Sequence, residues 1–499
     1  MPETVIAESR FQREPGHIIL KNTAFVTLGN VVLKVLTFLF NVYVVRKLGD
    51  DRFGQYSIVL AFVGLFQIFF ELGMTQYVMR EIAQDRSKTQ YLFWNLVTLR
   101  LLLAALGIVG ITLGAVVVGY SAELVWGIFI YTCSFLLFAF LVPLTTVLTA
   151  YERLDYVTVL SILGRLVFIV LGAVFLFSGW GFISLIVAGF IGTPLEIGLA
   201  VWAIRRHRMA TLSVHIDPRT WPRLIRASLP FGIISLTLTI AFSIDTVMLS
   251  MYQPERVVGW YNVAYNLVFS LMFFFSGFKE AIVPSLSRTY VNDPARVESW
   301  YHRSVKYIML SSLPIAVGGM LVAFPLIRLL YTDEFLPSAL ALQILIWDVP
   351  VLMFTSFCGN MTTVISEERA AARIYTINAV ANVILNLYAI PRFGLVGAAL
   401  VTVVTDMIGA LQFHFLLRRK LHLPDMRWVL IRVLIASALM GIVVRLADSL
   451  NLFLLIGLGV AAYGGLILGL RLLDETEWAM ILRLLRRRGD TQPAKEAAG

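Results

Sequence analysis

The sequence predicts an all-α polytopic membrane protein of about fourteen transmembrane helices, and three observations carry that prediction. Of 499 residues, 59% are hydrophobic and only 14% are charged, against about 25% charged in an ordinary soluble domain. Mean hydropathy is +0.81. Apolar runs recur along nearly the whole chain, each of about eighteen residues or more, long enough to cross a hydrocarbon core of about 30 Å. A water-soluble globule is thereby excluded.

In chain order the predicted spans are 22–45, 56–79, 92–118, 122–149, 157–178, 181–203, 227–251, 259–283, 304–328, 338–364, 372–391, 394–417, 428–447 and 451–472. The first two are parted by RKLGDDRFGQ, the third and fourth by the short break GYSAEL. The fifth ends at SGWG (178–181), the seventh at QPER (253–256) and the eleventh at PRFG (391–394), all turn-forming runs. Longer polar links cover 204–226 and 285–303, and a charged tail starts at Asp474. No stretch between spans is long enough for a separate domain. The first seventeen residues are polar and lack the apolar core of a signal peptide. The run from Thr23 is expected to remain as a span. Cys133 and Cys358 both fall in apolar runs and are expected as buried free thiols.

Orientation follows from lysine and arginine in the loops. With the N-terminus inside, the cytoplasmic segments hold 29 of the 41 basic residues. The opposite face holds seven: Arg46, Lys47, Arg52, Arg256, Arg328, Arg392 and Arg445. This bias places both termini in the cytoplasm of a multi-pass cell-membrane protein. It also accounts for the net charge of +10 without invoking nucleic acid.

Two halves of the chain echo each other. RFGQYS (52–57) opens the second span and VVGWYN (257–262) opens the eighth, so Gly54 matches Gly259 and Tyr56 matches Tyr261 at an offset of 205. YER (151–153) precedes span five as EER (367–369) precedes span eleven, and WAIRR (202–206) ends span six as FLLRR (415–419) ends span twelve. Six spans per copy is an even number, so the copies enter from the same side and an axis along the membrane normal relates them. The expected organisation is a six-helix lobe at 1–206, a cytoplasmic linker at 207–226, a second lobe at 227–419, two extra helices at 420–473 and a basic tail at 474–499.

Two six-helix halves, FGQYSIVLAF after span one and SIDTVMLSMYQPERVVGWYNVAYNL at 243–267 resemble the polysaccharide and oligosaccharide flippases of the multidrug/oligosaccharidyl-lipid/polysaccharide exporter superfamily. The resemblance covers roughly residues 18–470. It implies two pseudo-symmetric bundles around a central cavity between spans one, two, seven and eight. It also implies outward movement of a polyprenyl-diphosphate-linked oligosaccharide by alternating access.

The residues give their own reading. A charge inside a span costs about 2.5–3.5 kcal/mol on insertion scales, so it usually faces a partner or a wet cavity. Span one carries Thr23, Thr27, Asn30, Lys34, Thr37 and Asn41, spaced by three and four and therefore on one helical face. Interhelical hydrogen bonds, worth about 0.6 kcal/mol each, would explain the Thr and Asn but not Lys34. Span two offers Gln67, Glu71 and Thr75 on one face. Span seven offers Ser235, Thr239, Ser243, Thr246 and Ser250, with Asp245 flanking that stripe. Span eight has Asn262, Asn266 and Ser276, followed by Lys279 and Glu280.

Lys34 and Lys279 are expected to attract the diphosphate, and Asn30, Asn41, Gln67, Glu71, Asn262 and Asn266 to line the cavity. Glu71, Asp245 and Glu280 are expected to carry protons or sodium, or to balance the lysines when the site is empty. Periodicity puts Glu280 on the polar face, whereas the resemblance favours Lys279. Asn378, Asn382 and Asn386, four residues apart, read as a helix-packing seam. Arg165, Asp348, Asp406 and Arg432 read as local pairs or interfacial anchors, and Arg100 and Glu196 as snorkelling side chains.

No metal-ligand spacing, nucleotide loop or nucleophile motif is present, so no enzyme, cofactor or metal is expected. Transport should be secondary. The expected partners are the lipid-linked cargo, membrane lipids and glycosyltransferases or a polymerase of the same pathway, with a monomeric chain. A cell-wall precursor flippase or multidrug exporter of the same fold is the alternative, and a polytopic sugar ligase or polymerase a more distant one.

Overall fold

A computed structural model of the chain describes residues 15–210, 214–272, 294–421, 423, 425–473 and 477. Among these residues every regular element is a helix. In chain order they are α1 (Pro15–Phe66), α2 (Ile68–Glu71), α3 (Met74–Gln84), α4 (Thr89–Val118), α5 (Ala122–Ala150), α6 (Leu154–Phe177), α7 (Phe182–Ile191), α8 (Thr193–Arg206) and α9 (Trp221–Tyr252). Then follow α10 (255–272), α11 (Pro294–Leu330), α12 (Ser338–Leu345), α13 (Asp348–Val364), α14 (Glu368–Lys420), α15 (Arg427–Leu446) and α16 (Leu452–Gly469).

Nine segments of the described chain are long and apolar enough to cross a membrane, and the bent pair α12–α13 makes a tenth. Two of the nine, Val32–Gln84 and Glu368–Lys420, are 53 residues long. At 1.5 Å per residue that is about 80 Å, more than two hydrocarbon thicknesses. Each contains a glycine that leaves the helical region, Gly49 at φ +75° and Gly394 at φ +53°. The breaks fall where the sequence places the joints between spans one and two and between spans eleven and twelve. The fourteen-span count remains an expectation, because its eighth span runs into residues 273–293, outside the described set.

Local chemistry sets the helix ends. Ser121 accepts the Leu124 N–H at 3.4 Å to start α5, and Asn451 accepts that of Leu454 at 2.9 Å to start α16. Gly119, at φ +88°, closes α4 in the left-handed conformation. In the turn before α4, Asp85 accepts the Ser87 N–H at 3.0 Å and its hydroxyl at 2.6 Å. Those two bonds favour the charged carboxylate and pull it below the usual range.

The chain forms two compact units. One runs to Ala264 and takes in Leu330–Ser338 and Tyr375–Val401; the other holds Tyr265–Leu329, Ala339–Ile374 and the chain from Thr402. The first thus includes α9, the start of α10 and part of α14, segments that the repeat assigns to the second lobe. One of its cores joins residues four apart on single helix faces: Met74, Val78 and Ile82 of α3, Leu92 and Leu96 of α4, Leu144 and Leu148 of α5, Ala200 and Ile204 of α8. In the second unit Val433, Met440 and Val444 of α15 pack with Leu313 of α11 and Tyr463 of α16. Apolar side chains such as Val117 and Phe177 stand more than four-fifths exposed, as lipid contact requires. Cys358 is buried as expected, whereas Cys133 is only half-buried; neither forms a disulfide.

Candidate functional site

Within the first unit, the segments 46–55, 120–123, 250–260, 330–335 and 392–394 converge at one end. All lie at or beside predicted loops on the face expected to be opposite the termini. Arg46 Nε donates to the Leu330 carbonyl at 2.6 Å, the Tyr120 and Ser250 hydroxyls meet at 2.6 Å, and Arg52 pairs with Glu123.

At the centre of this end lies a reciprocal contact. Gln55 Nε2 donates to Glu255 Oε2 at 3.0 Å, and Trp260 Nε1 donates to Asp50 Oδ2 at 3.2 Å. Adding the repeat offset of 205 to residues 50 and 55 gives 255 and 260, so each hydrogen bond maps onto the other. The glycines of the repeat obey the same exchange. A Cβ on Gly54 would overlap the Glu255 carbonyl, and one on Gly259 would lie 2.5 Å from the Asp50 carbonyl. Only side chains of zero length allow backbones this close. Positions that the sequence repeat pairs thus make reciprocal contacts, the pattern of an isologous interface.

Deeper in the same unit, Asp245 of α9 is 3% exposed. Its carboxylate accepts the Tyr261 hydroxyl at 3.1 Å and the Asn386 amide at 2.7 Å. Asn386 also donates to Asn382 at 3.1 Å. A buried carboxylate must be met by polar or charged partners, and a hydroxyl and an amide are two of those that meet this one. Next to it, the Thr246 hydroxyl donates to Asn262 Oδ1 at 3.3 Å, and Asn262 donates to the Val258 carbonyl at 2.9 Å.

On α1, Lys34 is exposed and Asn41 half-buried. Between them Thr37 accepts from Arg165 Nε at 3.0 Å. Gln67 is exposed at the break between α1 and α2. Glu71 sits where the chain bends through Leu72 (φ +43°) and Gly73 (φ +74°). It accepts Arg100 Nη1 at 2.8 Å and the Thr75 N–H at 3.3 Å. Arg100 is 7% exposed and also donates to the Thr75 hydroxyl at 3.1 Å.

The structure therefore joins Asp245 with Tyr261, Asn382 and Asn386, and places Asn262 beside Thr246. Asn30 lies on α1 as expected, and Asn266 lies on α10 in the second unit, where its backbone carbonyl accepts the Ser270 hydroxyl at 2.7 Å. Lys279 and Glu280 lie outside the described residues. Two readings change. Arg100 does not snorkel: burial and the Glu71 carboxylate hold it inside, so the cation balanced by Glu71 in this structure is Arg100 and not a lysine. Asn382 and Asn386 do more than pack, because Asn386 holds the Asp245 carboxylate. The sequence signal for that bond, an Asn ladder in one span and a lone Asp in another, does not connect the two. Glu196 lies against Gly164, whose missing side chain leaves room for its carboxylate.

Comparison with known proteins meets this geometry. The solved structures most similar in shape include the lipid II flippase MurJ in an inward closed conformation, with a TM-score of 0.74 and 16% identity over 89% of this chain and 98% of that one. An inward-facing multidrug resistance MATE family transporter of the MOP superfamily gives 0.62 and 17% over 76% and 94%. At such identities the likeness is one of fold. Among curated relatives, a Haloferax volcanii protein named as a probable low-salt glycan biosynthesis flippase, Agl15, is 25% identical over 48% of this chain. The chain spans about half the length of that relative, 53%. A Shigella flexneri protein named as an O-antigen transporter is 21% identical over 80% of this chain and 98% of its own length. The MatE family model matches residues 230–388. The model described as polysaccharide biosynthesis protein matches residues 19–290, a stretch that takes in the α1 stripe, the reciprocal glycines and Asp245. That match covers more than half of the sequence, and the chain belongs to the polysaccharide biosynthesis protein family.

Proposed function

We propose that this chain is a secondary transporter that moves a polyprenyl-diphosphate-linked oligosaccharide from the cytoplasmic to the outer leaflet by alternating access. The observation that carries the reading is the reciprocal contact of Asp50, Gly54 and Gln55 with Glu255, Gly259 and Trp260. Two copies of one unit, touching through equivalent surfaces at one end, are built to part there. The match to the polysaccharide biosynthesis family and the relatives named for glycan flipping and O-antigen transport support this cargo class.

In this reading the contact closes the outer face, and both termini are cytoplasmic, as the basic residues in the loops favour. Lys34 and Lys279 attract the diphosphate. Asn30, Asn41, Gln67, Asn262 and Asn266 face the sugar and its linkage. Asp245 carries the coupling proton or cation, and Glu280 balances Lys279. Glu71, tied to Arg100, acts as a fixed charge at the bend of span two. The chain catalyses no bond change and works as a monomer beside glycosyltransferases and a polymerase of its pathway.

Deletion of the gene tests this. The expected result is accumulation of a prenyl-diphosphate glycan in the inner leaflet with loss of the surface glycan. Unchanged surface glycan, or accumulation of the cell-wall lipid precursor in its place, contradicts it.

A further inference from the structure

We propose that Arg165, on span five, is a binding residue for the diphosphate of the cargo, with Thr37 orienting it and Lys34 adding a second cation one turn away on α1. The inference rests on the cargo class proposed above and adds a residue to its site.

The packing of α6 on α1 fixes where Arg165 stands. A Cβ on Gly29 would lie 3.4 Å from Ile162, and one on Gly172 would lie 2.7 Å from Phe40. The Phe40 and Phe168 rings meet edge to face at 5.2 Å. Residues 162, 165, 168 and 172 recur at helical spacing and thus form one face of α6 along α1. Arg165 belongs to this face and reaches the polar stripe at Thr37, yet it is exposed. It stands at the open edge of the α1–α6 contact.

Thr37 uses only the Nε of the guanidinium, and the Phe168 ring lies 5.6 Å from its central carbon. Among the described residues no carboxylate pairs with it. A hydroxyl and a ring orient the cation but do not neutralise it. Both Nη groups remain available to an anion, and their planar fork suits two phosphate oxygens. Lys34 and Thr37 are three residues apart on the stripe, about 5 Å along the helix. A second cation on the same helical face adds a partner for the second phosphate of a diphosphate.

The test is calorimetric titration of the purified full chain with farnesyl diphosphate. Farnesyl monophosphate, inorganic pyrophosphate and phosphatidylglycerol nanodiscs are the comparison arms. Wild type should bind farnesyl diphosphate more tightly than the other three. Arg165→Gln should weaken that binding by about tenfold or more, the usual scale for a lost charged hydrogen bond. Arg165→Lys and Thr37→Ala should weaken it less, and both keep the test valid if Arg165→Gln does not fold. Affinity within twofold of wild type in all folded variants overturns the site and leaves the cargo class standing. An equal loss for phosphatidylglycerol overturns the diphosphate assignment, and pyrophosphate binding as tight as farnesyl diphosphate overturns the lipid-linked source. No binding of farnesyl diphosphate by wild type overturns the cargo class and the site together.

Discussion

Gly54 and Gly259 stand 205 positions apart and occupy each other's space. Alanine at either would push a methyl group into a backbone carbonyl, which has no rotamer with which to yield. Each substitution should lower stability by about 1–3 kcal/mol, read as a drop in melting temperature, and the two drops should be alike. Asp245 makes a different prediction. Two of its partners, Tyr261 and Asn386, are neutral, and Asn386 Oδ1 has no hydrogen-bond partner among the described residues. In Asp245→Asn, the new amide oxygen can still accept the Asn386 N–H and its Nδ2 can donate to the Tyr261 oxygen. The variant should therefore reach wild-type protein level yet fail to export glycan, measured as surface glycan in complemented cells. Arg100→Ala should cost about 3 kcal/mol by leaving Glu71 unpaired in a mostly buried setting, and Glu71→Ala in the same chain should recover part of the loss. The α1 stripe was legible in the sequence because helical period alone defines it. The Glu71–Arg100 and Asp245–Asn386 bonds were not, because they join residues 29 and 141 positions apart and neither sequence neighbourhood names its partner.

Among the elements, α1 and α14 show how a glycine converts a long apolar run into two spans. The sequence marks both joints, LGDD and PRFG, by turn composition. It also marks the repeat, through Gly54 with Gly259 and Tyr56 with Tyr261, but it gives no reason to expect that the matched residues touch. Their contact depends on how residues about 205 positions apart are brought together in the fold, which local composition does not encode. The two hydrogen bonds of that contact are equivalent, so Asp50→Ala and Glu255→Ala should act alike. A single cysteine placed at Asn41, in a chain lacking Cys133 and Cys358, offers the readout. Labelling by a membrane-impermeant maleimide added outside should be slow with the contact intact and should rise several-fold in either variant. No change in labelling would show that this contact does not close the outer face.

For the whole molecule, composition and loop charge were enough for an all-helical membrane protein, because both are sums over the chain that tolerate local error. The compact units were not legible, since they cut across the repeat: residues 330–338 and 375–401 pack with the N-terminal part of the chain. The activity proposed for the whole molecule is carriage of a prenyl-diphosphate glycan across the membrane. Transbilayer movement of a fluorescent prenyl-diphosphate-linked disaccharide in proteoliposomes measures this directly, with a proton or sodium gradient imposed. Wild-type protein should expose the lipid to an external quencher faster than protein-free vesicles do, without ATP, and Asp245→Asn should remove the dependence on the gradient. A wild-type rate equal to that of protein-free vesicles would contradict the account.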